Sequence, residues 1–282
     1  MHPPPEVSEV LPDGDRSRPR LFCRWHPAAG ARGAVLLVHG FGEHSGRYEH
    51  VFSALNDAGW SCLGLDYRGF GRAAGRRAFV RRFDEYLDDV AWGLDECRRR
   101  AGAAPVLLAH SQGGLVAAAL VIERRPELTG LALSSPALGF AVAVPRWKRW
   151  LGQLASTVWP TLALPTGIDP LELTREQHAL AALREDPLVQ HRATARWYTE
   201  SLAAQRRVLA GADRVALPPL LLVAGADRVV DRGATRAFFE RCAAADKTWC
   251  EYADARHEVL QELPAVRAQA LADLIAWLAR RR

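Results

Sequence analysis

Lysine is almost missing from this chain. Of 37 basic residues only Lys148 and Lys247 are lysines, so the formal charge of +5 is carried by arginine. The arginines are interspersed with 32 acids rather than gathered in one block, which argues against nucleic acid as a partner. Paired cysteine spacing is missing too. Cys23, Cys62, Cys97, Cys242 and Cys250 are odd in number and far apart, with no Cys-x-x-Cys. That excludes a disulfide scaffold and points to reduced thiols in a cytoplasm. No apolar run approaches the roughly 18 residues of a membrane span. The Met1–Glu6 start has neither the basic nor the apolar region of a secretory signal. The expected location is therefore cytoplasmic, with any membrane contact peripheral.

What is present is a large apolar share, 49% of 282 residues, enough for an extensive core. Residues 1–19, rich in Pro, Glu, Asp and Gly, are expected to be loosely ordered. Beyond them short apolar runs alternate with helical patterns. Ala34–Val38, Trp60–Leu65, Pro105–Ala109, Gly130–Ser134, Leu220–Ala224 and Thr248–Tyr252 read as strands. Arg47–Asp57, Phe83–Arg100, Gly113–Arg124, Arg232–Ala244 and Pro264–Ala279 read as helices. This alternation predicts an α/β fold with a mostly parallel central sheet flanked by helices. Between about Pro136 and Arg206 the rhythm breaks into a Pro- and Trp-rich stretch without a clear strand. The expected organisation is a core of residues 20–136 and 207–282, with residues 137–206 inserted as a helical cap.

Ligands of such a sheet bind outside the carboxyl ends of its strands, so reactive residues just after strands carry the functional reading. Ala109-His110-Ser111-Gln112-Gly113 lies between a strand and a helix. A serine on that sharp turn projects its hydroxyl from the sheet edge, with a helix amino terminus behind it. The base that such a serine needs comes last in the chain order Ser…Asp…His. His257 alone of the histidines lies beyond His191, and it follows the strand Thr248–Tyr252. The acid should follow the preceding strand, where Asp227 comes first and Asp231 is the alternative. The loop His39-Gly40-Phe41-Gly42 after Ala34–Val38 is placed to complete an oxyanion hole, with the amides of Phe41 and Gln112 as donors. His39, Glu43 and His44 lack metal-ligand spacing. Gly69-Phe70-Gly71 lacks the rest of a dinucleotide fingerprint.

The segment His39-Gly40-Phe41-Gly42-Glu43-His44-Ser45-Gly46-Arg47-Tyr48 resembles the corresponding loop of monoacylglycerol lipases and lysophospholipase-like α/β-hydrolases. So do Asp66–Arg72, His110–Gly114, Asp227 in its loop and His257 with Glu262-Leu263-Pro264, and the resemblance runs from about residue 20 to the end. It implies an α/β-hydrolase fold and a serine hydrolase that cleaves esters of single-acyl-chain lipids without a cofactor. Glu43 and Arg47 would fall near the polar head of the substrate. Trp147, Trp150, Trp159 and Leu162 of the cap are candidates for an acyl tunnel or for transient docking on a membrane surface. Ala109 and Ala73 depart from the family pattern by one small group each. Leu260 stands where the mammalian enzymes carry a second histidine that helps hold glycerol. The alternatives on the same fold are a short-chain carboxylesterase, a peptidase, or a ligand receptor without catalysis.

Overall fold

The computed structural model describes residues 4–10, 12–15, 18–141 and 146–281. The main strands are β1 (Glu6–Val10), β2 (Leu21–His26), β3 (Gly33–Val38), β4 (Trp60–Asp66), β5 (Val106–His110) and β6 (Gly130–Ser134). After β6 come a short ribbon of β7 (Ala163–Pro165) and β8 (Arg192–Thr194), then β9 (Pro219–Ala224) and β10 (Thr248–Tyr252). The large sheet runs in the order β1-β2-β4-β3-β5-β6-β9-β10. From β4 to β10 every pairing is parallel, whereas β1 and β2 are antiparallel.

The helices are α1 (Glu49–Asp57), α2 (Asp84–Ala101), α3 (Ser111–Arg124), α4 (Arg146–Val158), α5 (Pro170–Leu173), α6 (Gln177–Glu185), α7 (Ala195–Ala210), α8 (Arg232–Arg241) and α9 (Pro264–Leu278). The pleat of β3 explains why its run is continuously apolar. Leu36 and Val38 join the core formed with α2, α3 and α8, while Val35 and Leu37 face the opposite core against α1 and α9. Both faces are buried, so alternation of polar residues would place polar groups where water cannot reach.

Four differences from the sequence reading concern the margins, and the first is β2, which its Arg24 and His26 kept from reading as an apolar run. The segment expected to be loose contains β1 among its described residues, and β1 pairs with β2 along its whole length. Its exposed Glu6 is held by Arg100 at 2.9 Å. An edge strand facing solvent carries too little apolar signal to stand out by composition. The cap contains the β7–β8 ribbon as well as helices, but three-residue strands are too short to set a period. Finally α7 runs past residue 206 to Ala210 and sends Trp197, Ala204 and Val208 into the core. The last helix of the insertion is thus also a wall of the sheet's helical layer. Among the described residues, no helix is long and apolar enough to cross a membrane.

Candidate active site

Ser111 begins α3 with a left-handed φ of +51°, a conformation that side chains other than glycine avoid. The turn closes only because its neighbours are small. A Cβ on Gly113 would lie 2.4 Å from the carbonyl oxygen of His39 and 2.5 Å from that of Val38. The chain is thereby bent so that the Ser111 hydroxyl points off the sheet edge toward the loops following β9 and β10.

There it meets His257, whose Nε2 lies 2.8 Å from Ser111 Oγ. The Nδ1 of His257 lies 2.8 Å from Asp227 Oδ2. The other oxygen of Asp227 accepts the amides of Val229 at 2.8 Å and Val230 at 3.1 Å, which fixes the carboxylate plane. A carboxylate on Nδ1 holds the proton there and leaves Nε2 to accept the serine proton. Asp231, the alternative acid, is engaged elsewhere. It caps α8 by accepting from Gly233 and Ala234.

Electrostatics favour this division of roles. Burial works against a charged His257, but Asp227, by charge and hydrogen bond, together with Glu258 and Glu43, raises its pKa above the ordinary 6.5. Burial alone would push Asp227 up, yet its contact with His257 and its two amide donors hold the carboxyl below its usual range. His110, whose ring centroid lies 5.0 Å from that of His257, is pushed down to about 4, first by burial and then by His257. It therefore adds no second positive charge when His257 is protonated. Its Nδ1 lies 3.0 Å from the Ser134 carbonyl oxygen, which accepts from it in that neutral form.

The amide of Gln112 sits in the first turn of α3, where helical N–H groups have no partner within the helix. The amide of Phe41 donates to no acceptor among the described residues. Both belong to segments that flank Ser111, the arrangement an oxyanion site requires.

Glu43 and Arg47, expected near the polar head of the substrate, lie between the Phe41 loop and the His257 loop. They are buried and committed to each other and to the His257 loop. Glu43 Oε1 accepts from the Gly40 amide at 2.6 Å and from the Tyr48 hydroxyl at 2.7 Å. Its Oε2 accepts from Arg47 at 2.5 Å. Arg47 then grips both oxygens of Glu258, at 2.9 and 2.6 Å. Burial opposes ionisation of Glu43, but Arg47, His110, His39 and the Tyr48 hydroxyl together outweigh it and hold the carboxyl down at about 2. With these polar atoms paired, the two side chains brace the Phe41 loop against the His257 loop.

The exposure of the cap tryptophans bears on the two roles expected of them. Trp147, Trp150 and Trp159 are 61%, 65% and 61% exposed, so they form an outer surface of the cap. Leu162 is half-buried where the Ala195 amide bonds its carbonyl. The cap residue that reaches the site is Trp197, which sequence reasoning did not single out. Its ring packs 4.3 Å from that of Phe41, and its Nε1 donates to Gln112 Oε1 at 2.8 Å. Only folding of α7 over the site reveals this. Glu258 carried a faint signal, its position beside His257.

The cap is tied to both loops of the site. The Gln190 amide donates to the Gly42 carbonyl at 2.7 Å. His44 accepts the Gly46 amide on Nδ1, so its Nε2 carries a proton and donates to Asp186 at 2.7 Å. From α5, the Leu173 carbonyl accepts the Glu258 amide at 2.8 Å. Among the described residues, no group of three or more His, Cys, Asp or Glu side chains is arranged to hold a metal ion.

A serine, histidine and aspartate in line at an α/β sheet edge match a large family. The model of the serine aminopeptidase family S33 covers residues 29–264. The chain belongs to that family. Among relatives, it is 30% identical over 231 residues to phospholipase YtpA of Bacillus subtilis, an alignment spanning 81% of this chain and 88% of the relative. It is 30% identical over 265 residues to the monoglyceride lipase of Homo sapiens, spanning 93% and 87%. The crystal structure of Paleococcus ferrophilus monoacylglycerol lipase superposes with a TM-score of 0.83 at 31% identity, covering 92% of this chain and 98% of that one. The family's α/β-hydrolase fold is the one described above.

Proposed function

We propose that this chain hydrolyses carboxylic esters of single-acyl-chain lipids, monoacylglycerol or lysophospholipid, through an acyl-enzyme. The observation that carries the reading is the chain of 2.8 Å contacts from Ser111 through His257 to Asp227, in a protein whose full-length relatives are named as lipases and a phospholipase. Ser111 Oγ attacks the ester carbonyl while His257 Nε2 takes its proton, and Asp227 stabilises the imidazolium. The amides of Phe41 and Gln112 receive the tetrahedral oxyanion, each such donor lowering the barrier by about 3 kcal/mol. His257 returns its proton to the leaving alcohol. It next takes a proton from water, whose hydroxyl oxygen attacks the acyl carbonyl. The proton goes back to Ser111 Oγ, and the fatty acid leaves.

The family's description also raises a peptidase that recognises a free amino terminus. An ammonium group needs an open carboxylate near the serine. Glu43 and Glu258 are both engaged by Arg47, and Asp186 by His44. Ester hydrolysis is therefore the better supported reading. The exposed Trp147, Trp150 and Trp159 support a role for the cap at lipid surfaces, and the unpaired thiols among the described residues support a cytoplasmic protein that meets membranes peripherally.

A fluorophosphonate probe and a substrate panel test the proposal. Labelling that is lost in Ser111→Ala, with turnover of monoacylglycerol or lysophospholipid, is expected. Labelling without lipid turnover, combined with cleavage of aminoacyl amides, would transfer the site to peptide chemistry.

A further inference from the structure

The loop between β4 and α2 is the most concentrated charge in the molecule. From Tyr67 to Phe83 it holds six arginines and no acid. Arg68 is fastened to Asp89 at 2.7 Å, but Arg72, Arg76, Arg77, Arg81 and Arg82 are exposed. Arg20 is exposed beside them, because its carbonyl accepts the Ala74 amide at 2.8 Å. Among the described residues, Glu85 is the one flanking acid that ion-pairs with an exposed arginine of this group, Arg81. Asp66 is buried and accepts the Ser45 and Arg72 amides, and Asp84 pairs with Arg207 at 3.2 Å. Glu85 approaches Arg68 at 3.4 Å and Arg81 at 3.8 Å.

The position of the loop gives the charge a direction. It follows the carboxyl end of β4, the same sheet edge that carries Ser111, Asp227 and His257. It also touches the cap, since Thr194 Oγ1 of β8 donates to the Ala78 carbonyl at 2.6 Å. The partner of β8 in the ribbon, β7, exposes Leu164 by 59%, a few residues from Trp159. A cationic rim thus adjoins an exposed apolar face above the site.

We propose that this arginine rim docks the protein on a lipid surface bearing acidic phospholipids, with the apolar cap face entering the interface beside it. Acidic headgroups supply the charge that the rim lacks, and the apolar residues supply the contact that a free polyanion could not use. Each basic side chain near such a surface contributes on the order of 1 kcal/mol, so a handful orients the site toward the membrane. The inference rests on the lipid-ester reading for its purpose, but its test does not depend on turnover.

Co-sedimentation with phosphatidylcholine vesicles, with and without about a third phosphatidylglycerol, reads the docking directly. The wild-type chain is expected to bind the acidic vesicles at least about tenfold more tightly. The double variant Arg76→Glu/Arg82→Glu should lose that difference, while hydrolysis of a soluble short-chain p-nitrophenyl ester stays unchanged and shows that the variant is folded. At about 0.5 M salt, where screening is within a few Å, the wild type should bind both vesicles alike. Trp150→Ala/Trp159→Ala should weaken binding to both vesicle types together. Equal binding of the wild type to neutral and acidic vesicles would overturn the proposal. So would an Arg76/Arg82 variant that binds as the wild type does, or capture by single-stranded RNA in preference to acidic vesicles. If docking follows the charge but no lipid ester is cleaved, the lipid-ester reading fails and the docking surface stands.

Discussion

At the scale of single residues the site is a balance of buried charges, and its titration follows from the balance. Catalysis by Ser111 requires neutral His257, while its neighbours favour the protonated form. Activity should therefore fall as pH drops through a midpoint above 6.5, seen as an acid limb in kcat/KM. Glu258→Gln removes one of the groups raising His257, so the limb should move to lower pH with a substantial kcat retained. An unmoved limb would mean that Glu258 acts on structure alone. The two aspartates of the β9 loop separate in the same way. Asp227→Asn takes away the charge that holds the imidazole and should lower kcat on the order of 10³-fold or more. Asp231→Asn keeps an N-cap for α8 and should cost little activity or stability. Equal kinetic losses in the two variants would place the acid wrongly.

At the scale of elements, two braces hold the loops around Ser111. One is the ion chain from the Gly40 amide through Glu43 and Arg47 to Glu258, which joins the loop after β3 to that after β10. Removing Arg47 leaves two carboxylates buried without their partner. Arg47→Ala should therefore destabilise the fold by about 3–5 kcal/mol, read from the denaturant midpoint. Activity on monoacylglycerol and on a p-nitrophenyl ester should drop in parallel, because the brace serves the oxyanion site rather than a head group. A loss confined to monoacylglycerol would return Arg47 to substrate binding. The other brace is the contact of Gly42 with Gln190 of the cap. Gly42 has a φ of +75°, and a Cβ there would lie 2.4 Å from the Gln190 carbonyl oxygen. Gly42→Ala should strain the loop and lift the cap segment away from it. The expected result is a lower kcat on every ester, with soluble short-chain substrates no exception.

At the scale of the molecule, the cap closes over the catalytic loops through aromatic contacts. Phe41, Trp197 and Phe140 form an aromatic cluster between cap and core, with Phe140 and Trp197 centroids 6.4 Å apart. An acyl chain that enters beside this cluster gains about 0.8 kcal/mol for each buried methylene. For p-nitrophenyl esters, kcat/KM should then rise by at most severalfold per added methylene until the available apolar length is filled. A preference for acetyl or butyryl over octanoyl esters would make the chain a small-ester hydrolase with the same site.

The sequence by itself determined β3, β4, β5, β6, β9 and β10 to within a residue, four of them as the unbroken apolar runs that burial on both faces demands, while β2, broken by Arg24 and His26, escaped it. It also singled out Ser111, His257 and Asp227, which the fold brings into 2.8 Å contacts, because chemistry at a sheet edge requires such groups just after strands and in a set chain order. Polar β1 and the three-residue strands β7 and β8 left no such mark. Nor could the chain order show that Arg47 would be enclosed by Glu43 and Glu258, residues separated by more than two hundred positions, or that Trp197 would reach Gln112. The first contact arises when the loop after β10 meets the loop after β3, the second when the cap folds back over the sheet. Spacing along a chain specifies which face of an element a side chain occupies, and packing of distant elements specifies what that face meets.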